Sequence, residues 1–245
     1  MYTRQNHSSR TSKMLPWMIF WVSCVLTVGG CTSVPNADSA QADPYENFNR
    51  RIHNFNMSAD KRVLKPIAQG YRWVLPDPVE RGIANVFSNL DDPQVAINQI
   101  LQGKLALGIS DLGRFVVNST LGIGGIFDVA TGMGMPKHVE DFGQTFARWG
   151  FESGAYLVVP FWGPSSPRNG IGDMVGSYAF PPRYVDHVPT RNTLYGVSVL
   201  NRRAALLDVE EIVSGDRYSF IRDAYLQRRD YLINDGEVED DFFDE

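Results

Sequence analysis

A run of glycines in the middle of the chain is the first candidate for a chemical site. The stretch from Arg114 to Thr131 reads RFVVNSTLGIGGIFDVAT and holds Gly122, Gly124 and Gly125 between two apolar arms. Glycine-rich loops bind phosphates when their spacing fits the Walker or the dinucleotide pattern. Neither spacing is met here, and the segment has no lysine that would reach a phosphate. We therefore expect the glycines to serve the backbone and not a nucleotide.

Side chains that carry catalysis or bind metals are sparse. His53, His138 and His187 are isolated from one another, which favours solvated or capping roles over a zinc site. The serine-hydrolase pattern Gly-x-Ser-x-Gly is missing, and GISDLG at 108–113 has the wrong spacing. Asp91-Asp92 could be a pair of catalytic carboxylates, but the pair sits beside a predicted helix cap. The sequence therefore predicts neither an enzyme nor a bound cofactor or metal.

The role of the glycine stretch depends on the two arms that flank it. Leu105–Val117 and Ile126–Met135 are apolar and carry charge only at Asp111, Arg114 and Asp128. One interpretation is a buried hairpin whose glycines only allow close packing. The other is a helical hairpin that inserts partly into lipid or gates an apolar passage, with its few charges at headgroups or water. The low charge density of the arms favours the second interpretation.

The first thirty residues have the features of an export signal. Three basic residues precede the short apolar run 14–28, and VGGC ends at Cys31. This order is typical of a cleaved secretory signal, with an uncleaved anchor helix as the alternative. VGGC resembles the bacterial lipobox, which implies a signal at 1–30, acyl chains on Cys31 and a membrane-anchored mature chain. Since Cys24 leaves with the signal, the mature chain has no thiol for a disulfide.

The segments next to the anchor and at the C-terminus are polar. Thr32 stands where an aspartate would resemble an inner-membrane retention signal, so we expect the periplasmic leaflet of the outer membrane. Cys31 and the polar residues up to 43 predict a lipidated tether. Residues 235–245 hold seven acids and predict a solubilising tail, with a docking strip for a basic partner as the alternative. The net charge of −5 argues against a nucleic-acid partner.

Hydrophobic periodicity predicts a mainly α, single-domain body over residues 44–234. The sequence DPYE places Asp43 at an N-cap and Pro44 in the first turn of the first helix. A strand is favoured only at 155–162, where Pro160 interrupts it. Further helices are predicted at Pro78–Leu90, from Asp92-Pro93 to Gly103, Leu105–Asn118, Val139–Trp149, Pro167–Tyr178, Thr190–Val213 and Asp216–Asn234.

Four long blocks of the sequence resemble the VacJ/MlaA family of outer-membrane lipoproteins. They read DPYENFNRRIHNFN (43–56), RFVVNSTLGIGGIFDVAT (114–131), EDFGQTFARWGFESGAYLVVPFWGPSSPR (140–168) and IRDAYLQRRDYLINDG (221–236). The blocks occur in family order and are spread over nearly all of the mature chain, from residue 43 to residue 236. The tether, residues 58–72 and the acidic tail diverge, so partner contacts made there do not carry over.

The resemblance implies a ring-like helical bundle that lies in the periplasmic leaflet around an amphipathic channel. It also implies association with a trimeric porin, and transfer of mislocalised glycerophospholipids from the outer leaflet to a soluble periplasmic lipid carrier. The glycine hairpin is similar to the family segment beside the channel. Hinge or channel roles are accordingly expected for Asn118, Gly122, Gly124, Gly125, Phe127, Asp128 and Arg148. A structural lipoprotein that scaffolds porins and a phospholipase are the alternatives.

Overall fold

The computed structural model describes residues 43–212 and 215–237, which form a mainly helical body. The predicted fold class is therefore confirmed. The signal, Cys31, the tether up to residue 42 and the tail from residue 238 lie outside the described residues. The helices are α1 (Glu46–Ala59), α2 (Lys65–Val74), α3 (Asp77–Leu101), α4 (Leu105–Thr120), α5 (Val129–Gly132), α6 (Phe142–Arg148), α7 (Pro167–Gly176), α8 (Val188–Ala205) and α9 (Arg217–Ile233).

The longest helix, α3, corrects the prediction of two helices separated at Asp92-Pro93. It runs without a break through Pro93. Proline removes one backbone hydrogen bond and costs a helix interior about 3 kcal/mol. The helix nevertheless continues because α3 packs along α4 more extensively than any other pair of elements does. Tertiary packing here outweighs the local preference of proline.

The start of α1 also differs from the prediction. Tyr45, not Asp43, occupies the N-cap, and its side chain makes no capping hydrogen bond. The Asp43 carboxylate instead accepts a hydrogen bond of 2.7 Å from the Asn49 amide and another from the Tyr218 hydroxyl. This residue therefore links the beginning of the body to α9 and does not cap α1.

Residues after α1 form helical structure that the periodicity did not predict. A π-helical turn, Asp60–Leu64, joins α1 to α2. Two short 3-10 turns occur later in the chain, at Pro181–Tyr184 and Val209–Ile212. The second of them ends the region predicted as one helix from Thr190 to Val213, so α8 is shorter than expected.

The predicted strand becomes a small hairpin. Strand β1 (Leu157–Val159) pairs antiparallel with β2 (Gly163–Ser165). The Asn49 amide takes the place of a neighbouring strand, since it donates to the Tyr156 carbonyl at 3.0 Å and accepts from the Val158 amide at 2.9 Å. The hairpin is thereby fixed to α1.

Several helices begin at a residue whose side chain caps them, and one of these caps, His187, was predicted as solvated or capping. Ser166 caps α7 and accepts from the Asn169 amide, and His187 caps α8 in the role expected for it. Asp216 caps α9, and Asp141 caps α6.

In the parts of the chain that the structure describes, no helix is long and apolar enough to span a membrane.

Candidate functional site

Beside a small apolar core of Tyr156, Val158 and Tyr218, the body buries many polar side chains and exposes many apolar ones. The largest side chains that are fully buried are polar, namely Arg114, Gln99, Gln144, Asn49, Asn98, Thr145, Asp92 and Asp111. Large apolar side chains lie on the outside instead, including Trp73 (87% exposed), Phe161 (78%) and Trp162. Charged and amide side chains are rarely buried in soluble proteins, and large apolar patches are rarely exposed. This arrangement fits a body with hydrocarbon outside and a polar interior.

The glycine stretch forms a tight bend at the end of α4. Ile123, Gly124 and Gly125 have positive φ angles of 53°, 68° and 89°. The bend is closed by hydrogen bonds from the Gly125 amide to the Asn118 carbonyl (2.8 Å) and from the Phe127 amide to the Gly122 carbonyl (3.0 Å). A β-branched residue with positive φ is strained, and the side chain of Ile123 is exposed, so the backbone hydrogen bonds of the bend hold this conformation.

The three glycines are required in this bend for different reasons. A Cβ on Gly122 would lie 2.2 Å from the Phe127 carbonyl oxygen, and one on Gly125 would lie 2.8 Å from the Asn89 side chain. Gly124 faces open space, and only its positive φ requires glycine. The prediction that these glycines serve the backbone therefore agrees with the geometry.

Asp128 ties the far side of the bend to α4. Its carboxylate accepts hydrogen bonds from the Arg114 guanidinium (3.1 Å), the Asn118 amide (3.0 Å) and the Thr131 hydroxyl (2.6 Å). Although partial burial acts against ionisation, hydrogen bonds from Thr131, Asn118 and Arg114 lower the pKa of Asp128 to about 2. Asp128 is therefore ionised, and its hydrogen bonds hold the segment after the bend against α4.

A second layer of charges lies beneath Asp128. Arg114 Nε lies 3.8 Å from Asp92 Oδ2, and Lys137 Nζ donates to Asp92 and to the Ser88 carbonyl. The His138 ring lies with Nδ1 2.8 Å from Asp111 Oδ1. Burial raises the pKa of Asp92, while Lys137 and Arg114 act in the opposite direction. We call the whole set the hairpin cluster: Asp92, Asp111, Arg114, Asn118, Asp128, Lys137 and His138.

The hairpin cluster corrects three expectations. Asp111 and Arg114 are fully buried, not placed where the arms meet headgroups or water. Asp92 is buried inside α3, although the pair Asp91-Asp92 is predicted to lie beside a helix cap. His138 does not cap a helix and contacts Asp111. The reason is that these polar side chains pair with one another between α3, α4 and the segment after α5.

The predicted site residues meet only in part. Asn118 and Asp128 are brought together, and Phe127 is exposed beside the bend. Arg148 lies exposed in the last turn of α6, and no hydrogen bond among the described residues connects it with the hairpin cluster.

Sequence reasoning missed the contributions of Asp92, Lys137 and His138. A signal for the cluster was nevertheless present in α4. Asp111, Arg114 and Asn118 are spaced by three and four residues, which puts three polar side chains on one face of an otherwise apolar helix.

Groups of three or more side chains suited to holding a metal ion are not found in the described part of the chain.

Comparisons with known proteins identify the family of the chain. The model of the MlaA lipoprotein family matches residues 41–232. The chain is 35% identical over 216 residues to the intermembrane phospholipid transport system lipoprotein MlaA of Escherichia coli strain K12, with 85% of both chains covered. It is 30% identical over 223 residues to the protein of the same name in Haemophilus influenzae, which covers 87% of this chain and 88% of the relative.

A solved structure has the same fold. It comes from work on the structural basis for maintenance of bacterial outer membrane lipid asymmetry. The two structures superpose with a TM-score of 0.69 at 33% sequence identity, over 79% of this chain and 100% of the other.

Proposed function

The chain belongs to the MlaA lipoprotein family, and on that premise we propose that it removes mislocalised glycerophospholipids from the outer leaflet of the outer membrane. It passes each lipid to a soluble periplasmic carrier, which maintains the lipid asymmetry of that membrane. Its membrane partner is a trimeric porin, and acyl chains on Cys31 anchor it in the periplasmic leaflet. The reaction is transport without a covalent step, so the protein is not an enzyme and needs no cofactor.

The combination of many buried polar side chains with many exposed apolar ones is the observation that carries this proposal. A body that lies in a leaflet needs an apolar exterior, which residues such as Trp73, Trp162 and Phe161 supply. A passage for phospholipid headgroups needs polar groups inside. The buried arginine, carboxylates and amides of α3 and α4 supply those groups.

The hairpin cluster has unused capacity for hydrogen bonds. Asp92 Oδ2, Asp111 Oδ2 and Arg114 Nε are buried and have no hydrogen-bond partner among the described residues. Buried polar atoms require a partner, because an unmade hydrogen bond costs about 1–3 kcal/mol. Water or the polar part of a lipid headgroup is a suitable partner for all three atoms, which supports a polar passage beside α4.

The glycine hairpin is proposed as the gate of this passage. Gly122, Gly124 and Gly125 form its hinge, and Phe127 lies exposed at the bend. Asn118 and Asp128 hold the bend and are available to headgroups when it opens. Arg148 is proposed as a separate headgroup contact at the exposed end of α6.

The test measures phospholipid on the cell surface in a strain that lacks the gene. The strain is restored with the wild-type protein, Cys31→Ala, Gly124→Val or Gly150→Val. Gly150→Val is the matched control, because Gly150 has a positive φ of 88° and open space around it but lies outside the hairpin. We expect surface phospholipid to rise on deletion and to return to normal with the wild type and with Gly150→Val.

Each remaining variant tests a separate part of the proposal. Cys31→Ala should fail to restore the normal level because the anchor is lost. Gly124→Val should alter lipid flux although the protein folds, and unchanged flux would rule out the gate. No rise on deletion, with a weakened envelope, would instead support a porin scaffold.

A further inference from the structure

A second charged region surrounds a cavity of about 470 Å³ beside α2. We call it the Glu210 pocket, and its lining residues are Lys65, Gln69, Arg72, Leu207, Asp208, Glu210 and Arg217. None of them belongs to the hairpin cluster. The lining holds three cations against two carboxylates, and its volume is in the range of small-molecule sites. The pocket is therefore suited to a small anionic group.

Helix α2 supplies one wall of the pocket by its periodicity. Lys65, Gln69 and Arg72 are spaced by four and three residues and share one face of the helix. Ile67 and Val74 project from the opposite face, and both are exposed. Trp73 lies at the border between the two faces and is the most exposed large apolar residue of the body. One short helix thus joins a cationic pocket to an apolar outer surface.

The other wall is organised by one carboxylate. Glu210 accepts hydrogen bonds from Arg203 (2.8 Å) and Arg217 (2.6 Å), and Lys65 lies 3.2 Å from its Oε2. Although burial acts against ionisation, hydrogen bonds from Arg203, Lys65 and Arg217 lower the pKa of Glu210 to about 2. Glu210 is therefore a permanent anion that holds two cations of the pocket, Lys65 and Arg217, in place.

Arg72 and Lys65 have binding capacity left for a ligand. Arg72 pairs with Asp208 at 2.8 Å, but the Asp208 side chain is 78% exposed. A pair of this kind contributes little, so an incoming anion competes for Arg72 easily. The Lys65 ammonium has three donors and directs one of them to Glu210. Two cations on one face of α2 are thus available at the mouth of the cavity.

We propose that the Glu210 pocket binds a phosphate group, supplied by a glycerophospholipid headgroup or by inorganic phosphate. Lys65 and Arg72 donate hydrogen bonds to the phosphate oxygens, and Arg72 exchanges Asp208 for the ligand. When a headgroup supplies the phosphate, the apolar face of α2 lies along the acyl region and Trp73 lies at the interface, where tryptophan is enriched. The bound lipid then orients the body on the leaflet and is not cargo.

The test titrates the full-length protein, held in an uncharged amphipol, with two probes by calorimetry. The probes are inorganic phosphate and dihexanoyl phosphatidylglycerol. Arg72→Gln should weaken binding of both probes roughly tenfold, because a charge-assisted hydrogen bond is lost. Asp208→Asn should tighten binding roughly threefold, because the competing carboxylate is gone. Arg62→Gln is the matched control, since Arg62 is exposed near α2 and does not line the pocket.

The outcomes separate the two sources and the failure of the proposal. Tighter binding of the lipid than of phosphate, with both affinities changed by the pocket variants, identifies the headgroup as the ligand. Equal affinities identify free phosphate. Loss of binding in Arg62→Gln as large as that in Arg72→Gln, or no binding of either probe, overturns the proposal. The opposite signs expected for Arg72→Gln and Asp208→Asn keep the test decisive even where one variant folds poorly.

Discussion

The hairpin cluster and the Glu210 pocket use the same residue types in opposite surroundings. Arg114 is 2% exposed and its partner Asp92 is equally buried, so each charge depends on the other. In the Glu210 pocket, Arg72, Lys65 and Arg217 are about one-third exposed. Removing one partner of a buried ion pair strongly destabilises the fold, because the other charge stays buried and unpaired. Exposed ion pairs contribute little to stability. The first region therefore fixes geometry, and the second is able to exchange partners.

The hairpin cluster also differs from the pocket in the buried polar atoms of Asp92, Asp111 and Arg114 that have no hydrogen-bond partner among the described residues. A soluble protein gains little from burying Asp92, Asp111 and Arg114 together, because desolvation opposes the Coulomb attraction. Their burial makes physical sense where the outside of the helices meets hydrocarbon and the polar side must turn inward. The hairpin cluster therefore supports the proposed passage, whereas the cations that line the Glu210 pocket are partly exposed.

The largest expected effect comes from removing one arginine in each region. Arg114→Met should lower the free energy of unfolding by about 3–5 kcal/mol, because Asp92 remains buried without this partner and Asp128 loses its guanidinium donor. Arg217→Met should cost only about 1 kcal/mol, because this side chain is about one-third exposed and Glu210 keeps Lys65 and Arg203. Denaturant unfolding of both variants in the same detergent measures the difference. Equal losses would contradict the contrast between the two regions.

An intermediate effect is expected within the hairpin itself. Gly122→Ala should lower the unfolding free energy by about 2–3 kcal/mol, because its Cβ meets the Phe127 carbonyl oxygen. Gly124→Ala should cost about 1 kcal/mol, since only its positive φ opposes the new side chain. Thermal unfolding of the two alanine variants side by side is the measurement. A larger loss for Gly124→Ala would show that the bend is packed differently.

The smallest expected effect is the response to acid. The pKa of Asp128 and that of Glu210 are lowered to about 2, from ordinary values of 3.8 and 4.5. A carboxylate with a lowered pKa stabilises the fold above its ordinary pKa, and that contribution is lost as the pH falls towards the folded value. Stability should therefore decrease between about pH 4 and about pH 2.

Two variants assign this acid response to the two regions. Asp128→Asn and Glu210→Gln should each reduce the decrease by about 1 kcal/mol after allowance for solvent screening. The effect should be larger for Glu210→Gln, because Glu210 is less exposed than Asp128. Stability of each variant is measured against pH and compared with the wild type. An unchanged slope in both variants would show that neither carboxylate is held as the structure shows.

Local chemistry explains which parts of the fold were predictable. Ser166, His187 and Asp216 are capping residues with their own hydrogen-bonding side chains, so the starts of α7, α8 and α9 follow from short-range rules. The glycine bend follows from the same logic, since positive φ angles favour glycine. The local rule that proline interrupts a helix fails at Pro93 inside α3. Packing against α4 acts over many residues, whereas proline removes a single backbone hydrogen bond.

The sequence by itself determined the helical fold class, the family, the glycine bend and the sparseness of catalytic side chains, because periodicity, motifs and backbone preferences are local properties. Only the tertiary structure decided that Asp92, Asp111, Arg114 and Lys137 meet in one buried cluster. Such a cluster depends on which faces of α3 and α4 turn inward, and that is set by the packing of the whole body. The same is true of the Glu210 pocket, which joins α2 to residues that lie far along the chain.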